Sequence, residues 1–166
     1  MLLSGLKGFK MIFKEIKEDL FNIPDEYAIV HCISSDFALG AGIAKAIDEK
    51  YGVKDLLKKY YSNANPYITI TNDDWIGMAL YCESEVNGRI IYNLITKSKY
   101  WQKPTYESLM HCLVDLADDC LDAKITKLVM PRIGCGLDKL DWGKVRDCIK
   151  QVFNDMNIEI IVCSLD

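Results

Sequence analysis

The chain has 166 residues, half of them hydrophobic and 27% charged, with a formal charge of −4. That length makes one domain able to bury one substantial core, and the negative balance excludes a general nucleic-acid binder that neutralises phosphates with a basic face. Seven cysteines without a C-x-x-C pair fit reduced thiols in a cytoplasmic protein better than a disulfide framework.

The only histidines, His31 and His111, have no cysteine or histidine at zinc-ligand spacing, so neither a metal nor any other cofactor is expected. No apolar run approaches the length of a membrane span, so no membrane partner is expected either. Met1 to Lys10 is too short and too interrupted for a signal peptide. It precedes a second methionine, Met11, where a strand pattern begins. Residues 1–10 therefore read as an appendage and 11–166 as a single domain.

Met11 to Ile16 has the mixed apolar and polar pattern of a half-buried strand, and Pro24-Asp25-Glu26 reads as a turn. Tyr27 to Ile33 is a nearly continuous apolar run, as in a central strand covered on both faces, and Ser34-Ser35-Asp36 ends it in polar side chains. Gly40-Ala41-Gly42-Ile43-Ala44 then opens a helix. A strand, a glycine turn and a helix N-terminus can bind an anion, because free N–H groups and the helix dipole point the same way. The glycines could equally serve only close helix-to-strand packing. Tyr51-Gly52 breaks this helix, and Val53 to Tyr61 predicts a second.

Ser62 to Asp74 is the most irregular stretch, with room for a short strand at Tyr67 to Ile70. Ile76 to Cys82 and Arg89 to Ile95 read as paired strands across Asn87-Gly88, a strong hairpin dipeptide. A basic, aromatic connection, Thr96 to Pro104, leads to a helix whose stripe of Tyr106, Leu109, Met110, Leu113, Leu116, Ala117 and Cys120 marks a core face. Lys127 to Met130 is a buried strand that runs into Pro131-Arg132-Ile133-Gly134-Cys135-Gly136-Leu137-Asp138. Leu140 to Met156 is amphipathic, with Asp141 placed to cap it, and Ile158 to Leu165 closes the chain as a strand. Strands interleaved with helices predict an α/β three-layer sandwich, and the hairpin requires a mixed central sheet.

Three side chains invite chemistry on type alone. Cys135 suggests a thiol mechanism, but no histidine motif accompanies it, so a small packed side chain is the expectation. His31, in an apolar strand, is expected to be a hydrogen-bonded core residue. Trp101 could lie over a ligand or pack against a neighbour, and Trp142 reads as a core or helix-start contact.

His31-Cys32-Ile33-Ser34, Gly40 to Ala44, Ile95-Thr96-Lys97, Lys103-Pro104-Thr105-Tyr106-Glu107 and Pro131 to Asp138 occur in that order. This combination resembles the macrodomain family, and within it the glycohydrolases that remove terminal ADP-ribose from acidic side chains. The resemblance covers about residues 11 to 165, and its last motif is the most distinctive. It implies a macrodomain-like α/β/α sandwich that binds ADP-ribose and mono-ADP-ribosylated proteins as a monomer.

The resemblance also implies roles residue by residue. Asp19 would accept from the adenine amino group, with Leu20 beside it. Gly40, Ala41, Gly42, Ile43 and Ala44 would form the first phosphate loop. Ile133, Gly134, Cys135, Gly136 and Leu137 would form the second. Ser34 would lie near the distal ribose, and Lys97 and Asp138 would be the catalytic nucleophile and acid/base. A lysine amine can attack the aldehyde of an opened ribose to form a Schiff base, and a nearby carboxylate can take up and return protons. Small O-acyl-ADP-ribose esters would fit the same chemistry; a non-catalytic reader and an ADP-ribose 1″-phosphate phosphatase are the other readings of such a pocket. Ser35 stands where the glycohydrolase carries an acidic residue, which implies different contacts near the distal ribose. Cys163 replaces an aromatic in the last strand, which removes a stacking surface.

Overall fold

The computed structural model of the protein describes residues 8–62 and 72–166. The strand expected at Tyr67 to Ile70, and most of the 1–10 appendage, lie outside the described residues. In chain order the elements are β1 (Ile12–Lys17), β2 (Ala28–Ser34), α1 (Gly42–Tyr51), α2 (Val53–Tyr61), β3 (Ala79–Glu83), β4 (Ile90–Lys97), α3 (Tyr106–Ala123), β5 (Lys127–Met130), α4 (Trp142–Phe153) and β6 (Glu159–Ser164). Single 3-10 turns stand at Leu20–Asn22 and Asn72–Trp75.

The strands form one sheet in the order β1-β6-β5-β2-β4-β3. β3 runs antiparallel to β4, and every other neighbouring pair is parallel, so the sheet is mixed. Strand alternation splits the apolar residues between two cores. Ala28 and Val30 of β2, Tyr92 and Leu94 of β4, and Leu128 and Met130 of β5 pack with α3 and α4. Ile29 and Ile33, Ile91 and Ile95, and Val129 pack with α1 and α2. Both faces of the central strands are therefore dry, which is why β2 reads as an unbroken apolar run. The result is the three-layer α/β/α arrangement.

Local chemistry sets the helix limits. Gly52 takes a left-handed conformation, φ 68°, which ends α1 and starts α2. Thr105 and Ser108 form a reciprocal capping box at the start of α3. Asp141 accepts from Lys144 N and holds α4 to a start at Trp142, two residues later than the apolar pattern suggests. The β3–β4 connection is longer than a two-residue turn: Gly88 adopts φ 74°, but Ser84 N donates to Arg89 O, so six residues close the hairpin. The buried Arg89 donates to Asp25 Oδ1 at 2.7 Å and to Tyr27 O at 2.8 Å, tying this hairpin to the start of β2.

Candidate active site

The five parallel strands all point their C-terminal ends at one edge of the sheet, where a cleft of about 1010 Å³ opens. Glu18, Asp19 and Leu20 follow β1, Ser34 ends β2, Lys97 ends β4, Pro131 to Asp138 follow β5 and Ser164 ends β6; all line it. An open α/β sheet binds ligands at this edge because its loops can vary there while the strands hold them fixed.

Pairing between β2 and β4 slips just before the site. Ile33 stands opposite Ile95, but Ser34 stands opposite Lys97, so Thr96 is the extra residue of a bulge. A bulge re-aims the side chains beyond it, and here it brings Lys97 beside the end of β2. Lys97 Nζ donates to Asp138 Oδ1 and, at 3.0 Å, to the carbonyl of Tyr100. The side chains of Lys97 and Asp138 are only 10% and 16% exposed. Residues 41 apart in sequence thus form one ion pair in the wall of the cleft, on the loops that leave β4 and β5.

Asp36 organises the same wall. Its Oδ1 accepts from Ser34 Oγ at 2.5 Å and from Ala38 N at 3.1 Å, while Oδ2 accepts from Tyr100 N at 3.1 Å. The peptide that gives Lys97 its second acceptor is therefore itself held by a carboxylate. Nothing in the sequence pattern singles out Asp36 beyond its place in a polar strand end. Ser35 turns away from the cleft: it is buried, and its Oγ donates to Asp73 Oδ1 at 2.7 Å and to Ser98 O at 3.0 Å. The serine expected to alter contacts at the distal ribose therefore does not line the cleft, whereas Ser34 does.

Two loops face each other across the opening. Ala41, extended at φ −152°, is the N-cap of α1 and supplies no side-chain cap, so the first N–H groups of that helix are left for another acceptor. In the second loop Gly134 has φ 73°, and a Cβ there would meet Leu140 Cδ1 at 2.9 Å, so glycine is favoured by the backbone and any side chain would have to displace Leu140. Leu140 N donates to Gly134 O at 2.8 Å and closes the loop. Leu137 reaches over so that a Cβ on Gly42 would lie 3.4 Å from its Cδ1, which brings the two loops into contact. Gly40 to Ala44 and Ile133 to Leu137 all line the cleft, though Ile133 buries its side chain in the core and offers mainly backbone.

At the far end Asp19 is exposed, with Oδ1 accepting from Phe21 N at 2.9 Å, which fixes the carboxylate's direction. Leu20 borders the cleft but is mostly committed to the core. Trp142 borders it too and donates from Nε1 to Glu15 Oε1 at 2.7 Å, as a helix-start contact. Trp101 lies outside the cleft lining and is 69% exposed. His31 is buried in the core and meets Asn93 Oδ1 at 2.6 Å.

Three thiols touch the cleft, and burial raises the pKa of each. Cys135 and Cys163 are pushed up to about 11, and Cys32 is raised well above the usual thiol range. A thiol held protonated at neutral pH is a poor nucleophile. The cleft wall also presents the amine of Lys97, held by Asp138 and the Tyr100 carbonyl. Among the described residues no group of three or more His, Cys, Asp and Glu is placed to hold a metal, and no helix is long and apolar enough to cross a membrane.

The model of the Macro domain family matches residues 30–149. The ADP-ribose glycohydrolase OARD1 of Bos taurus is 40% identical over 151 residues, which cover 90% of each protein. Among solved structures, the macrodomain of Mycobacterium tuberculosis DarG superposes with a TM-score of 0.74 at 18% identity, over 92% of this chain and 97% of that one. Thermosipho africanus DarTG in complex with ADP-ribose superposes with a TM-score of 0.71 at 16% identity, over 96% of this chain and 43% of that one.

Proposed function

The chain belongs to the Macro domain family, and from that premise we propose that it is an ADP-ribosyl hydrolase that frees mono-ADP-ribose from acidic side chains. The observation that carries the reading is the half-buried Lys97–Asp138 pair set in the cleft wall between two glycine loops. The likeness to the OARD1 glycohydrolase over nine-tenths of the chain supports it.

In this reading the loops at Gly40 to Ala44 and Ile133 to Leu137 hold the diphosphate through backbone N–H groups, Asp19 and Leu20 take the adenine, and Ser34 stands near the distal ribose. Lys97 Nζ bonds to the anomeric carbon as the ester C–O bond breaks and the carboxylate of the target leaves with the electron pair. Asp138 takes the proton released by the amine and returns it to the ring oxygen as the ring opens to a Schiff base. Water adds to that carbon while Asp138 takes one of its protons. Asp138 then protonates the nitrogen, and the C–N bond breaks as the new hydroxyl becomes the aldehyde carbonyl and returns its proton to Asp138. The aldehyde closes to free ADP-ribose while that proton passes to solvent. O-acyl-ADP-ribose presents the same ester class to the same pair. The protein acts in the cytoplasm, as a monomer; its seven free cysteines fit the first part of that reading, a reducing compartment.

The test is release of ADP-ribose from a protein mono-ADP-ribosylated on glutamate. Lys97→Ala should lose release by about a thousandfold or more, a typical penalty for a lost nucleophile, with ADP-ribose affinity retained in calorimetry. Asp138→Ala should block turnover and let a lysine-linked adduct accumulate, visible by mass spectrometry. Equal turnover by parent and both variants would overturn the mechanism. Binding without release by the parent would make the protein a reader.

A further inference from the structure

The proposed reaction leaves one feature beside the lysine unused, the turn at Lys99 to Gln102. Gln102 N donates to Lys99 O at 3.0 Å, and Lys99 N donates back to Gln102 Oε1 at 2.9 Å. Tyr100 and Trp101 are thereby the two central residues of a doubly closed β-turn. Such positions normally go to glycine, proline, asparagine or aspartate. Here they carry two large aromatics that are 67% and 69% exposed.

The turn is rigidly joined to the chemistry. Tyr100 N is held by Asp36, and its carbonyl accepts from Lys97 Nζ. Tyr100 also borders the lysine end of the cleft, whereas Lys99, Trp101 and Lys103 lie outside the lining. The stretch Lys97 to Lys103 carries three lysines and no acidic residue in a chain of net charge −4. Lys99 and Lys103 are exposed, and among the described residues neither joins an ion pair.

We infer that the Lys99–Lys103 turn docks the acidic peptide segment that carries the modified side chain, with Trp101 as an aromatic anchor and Lys99 and Lys103 facing the flanking carboxylates. The inference rests on the hydrolase reading, which puts the bond to the protein at Lys97, directly beside this turn. Charge favours a peptide over a nucleic acid: two exposed lysines, one of them already near the Asp73 carboxylate, match a few carboxylates but fall short of the phosphates a strand would present. Tryptophan is also among the residues that carry most binding energy in protein interfaces.

The experiment uses the full chain as Lys97→Ala, titrated in calorimetry with ADP-ribose and with an intact peptide ADP-ribosylated on glutamate within an acidic sequence. The peptide should bind about tenfold tighter than ADP-ribose, the scale of one good interface anchor. Adding Trp101→Ala, or Lys99→Glu with Lys103→Glu, should remove that gain and leave ADP-ribose affinity unchanged. The charge-reversed protein should in addition prefer a peptide with basic flanks. The inference is overturned if the acidic peptide binds no tighter than ADP-ribose, if the variants weaken both ligands alike, or if only an ADP-ribosylated oligonucleotide shows the gain. Turnover by the parent chain tests the hydrolase reading separately, so the two can fail independently.

Discussion

The amine of Lys97 has two acceptors, and only one of them was visible in the sequence. Asp138 ends a glycine loop whose residue order is distinctive, so it could be named from the chain alone. The Tyr100 carbonyl is backbone, and the carboxylate that fixes it, Asp36, sits in an unremarkable run of polar residues; a three-body arrangement of this kind exists only after folding. Asp36 is therefore a positioning residue. Asp36→Ala frees the Tyr100 peptide and should lower kcat about ten- to a hundredfold, the scale expected when a catalytic group is misplaced by about an ångström. KM should stay near the parent value, since Asp36 is no part of the cleft lining. Asp36→Asn keeps one acceptor oxygen and should recover part of the loss. A purely structural role would instead show as a lower unfolding midpoint with kcat intact.

At the level of elements, the helices and strands were legible because their apolar periods agree with their burial. α2 spans the residues that its pattern predicted, and α4 is shorter than its pattern by two residues at the aspartate-capped start and three at the end, where it stops at Phe153 and not Met156. The bulge between β2 and β4 was not legible, since it depends on which strands become neighbours. The start of α1 shows what a binding helix gives up. Ala41 has the extended geometry of an N-cap without the side chain that would serve one. Ala41→Asp would supply that acceptor and should stabilise the fold by about 1 kcal/mol, read as a raised urea midpoint. The same carboxylate would repel a diphosphate from the helix N-terminus, so ADP-ribose affinity should drop at least about tenfold. Opposite signs in the two measurements identify the end of α1 as an anion seat; an unchanged affinity would remove it from that role.

For the whole molecule, two dry cores on either side of one sheet leave little room for charged groups, and His31 is a buried base without the carboxylate partner that the buried Arg89 has in Asp25. Burial lowers its pKa from 6.5 to about 4, against the opposing pull of the Asn93 hydrogen bond. The unfolded chain therefore takes up a proton below about pH 6.5 that the folded chain refuses until about pH 4, so stability is intact above 6.5 and declines as pH falls through this window. The loss should be about 3 kcal/mol by pH 4. It is measured as the difference in urea unfolding between the parent and His31→Asn, because carboxylates titrating nearby cancel in that comparison. Equal pH slopes would exonerate the histidine. The β-turn beside Lys97 has a consequence of another kind. Its closure depends on the backbone of Lys99 and on Gln102, and nothing in it depends on which side chains stand at positions 100 and 101. Tyr100 borders the cleft whereas Trp101 lies outside its lining, so position 101 can drift or be randomised without disturbing the lysine, and under the proposed hydrolase reading a lineage or a library built on this scaffold can change its clientele while Lys97 and Asp138 stay as they are.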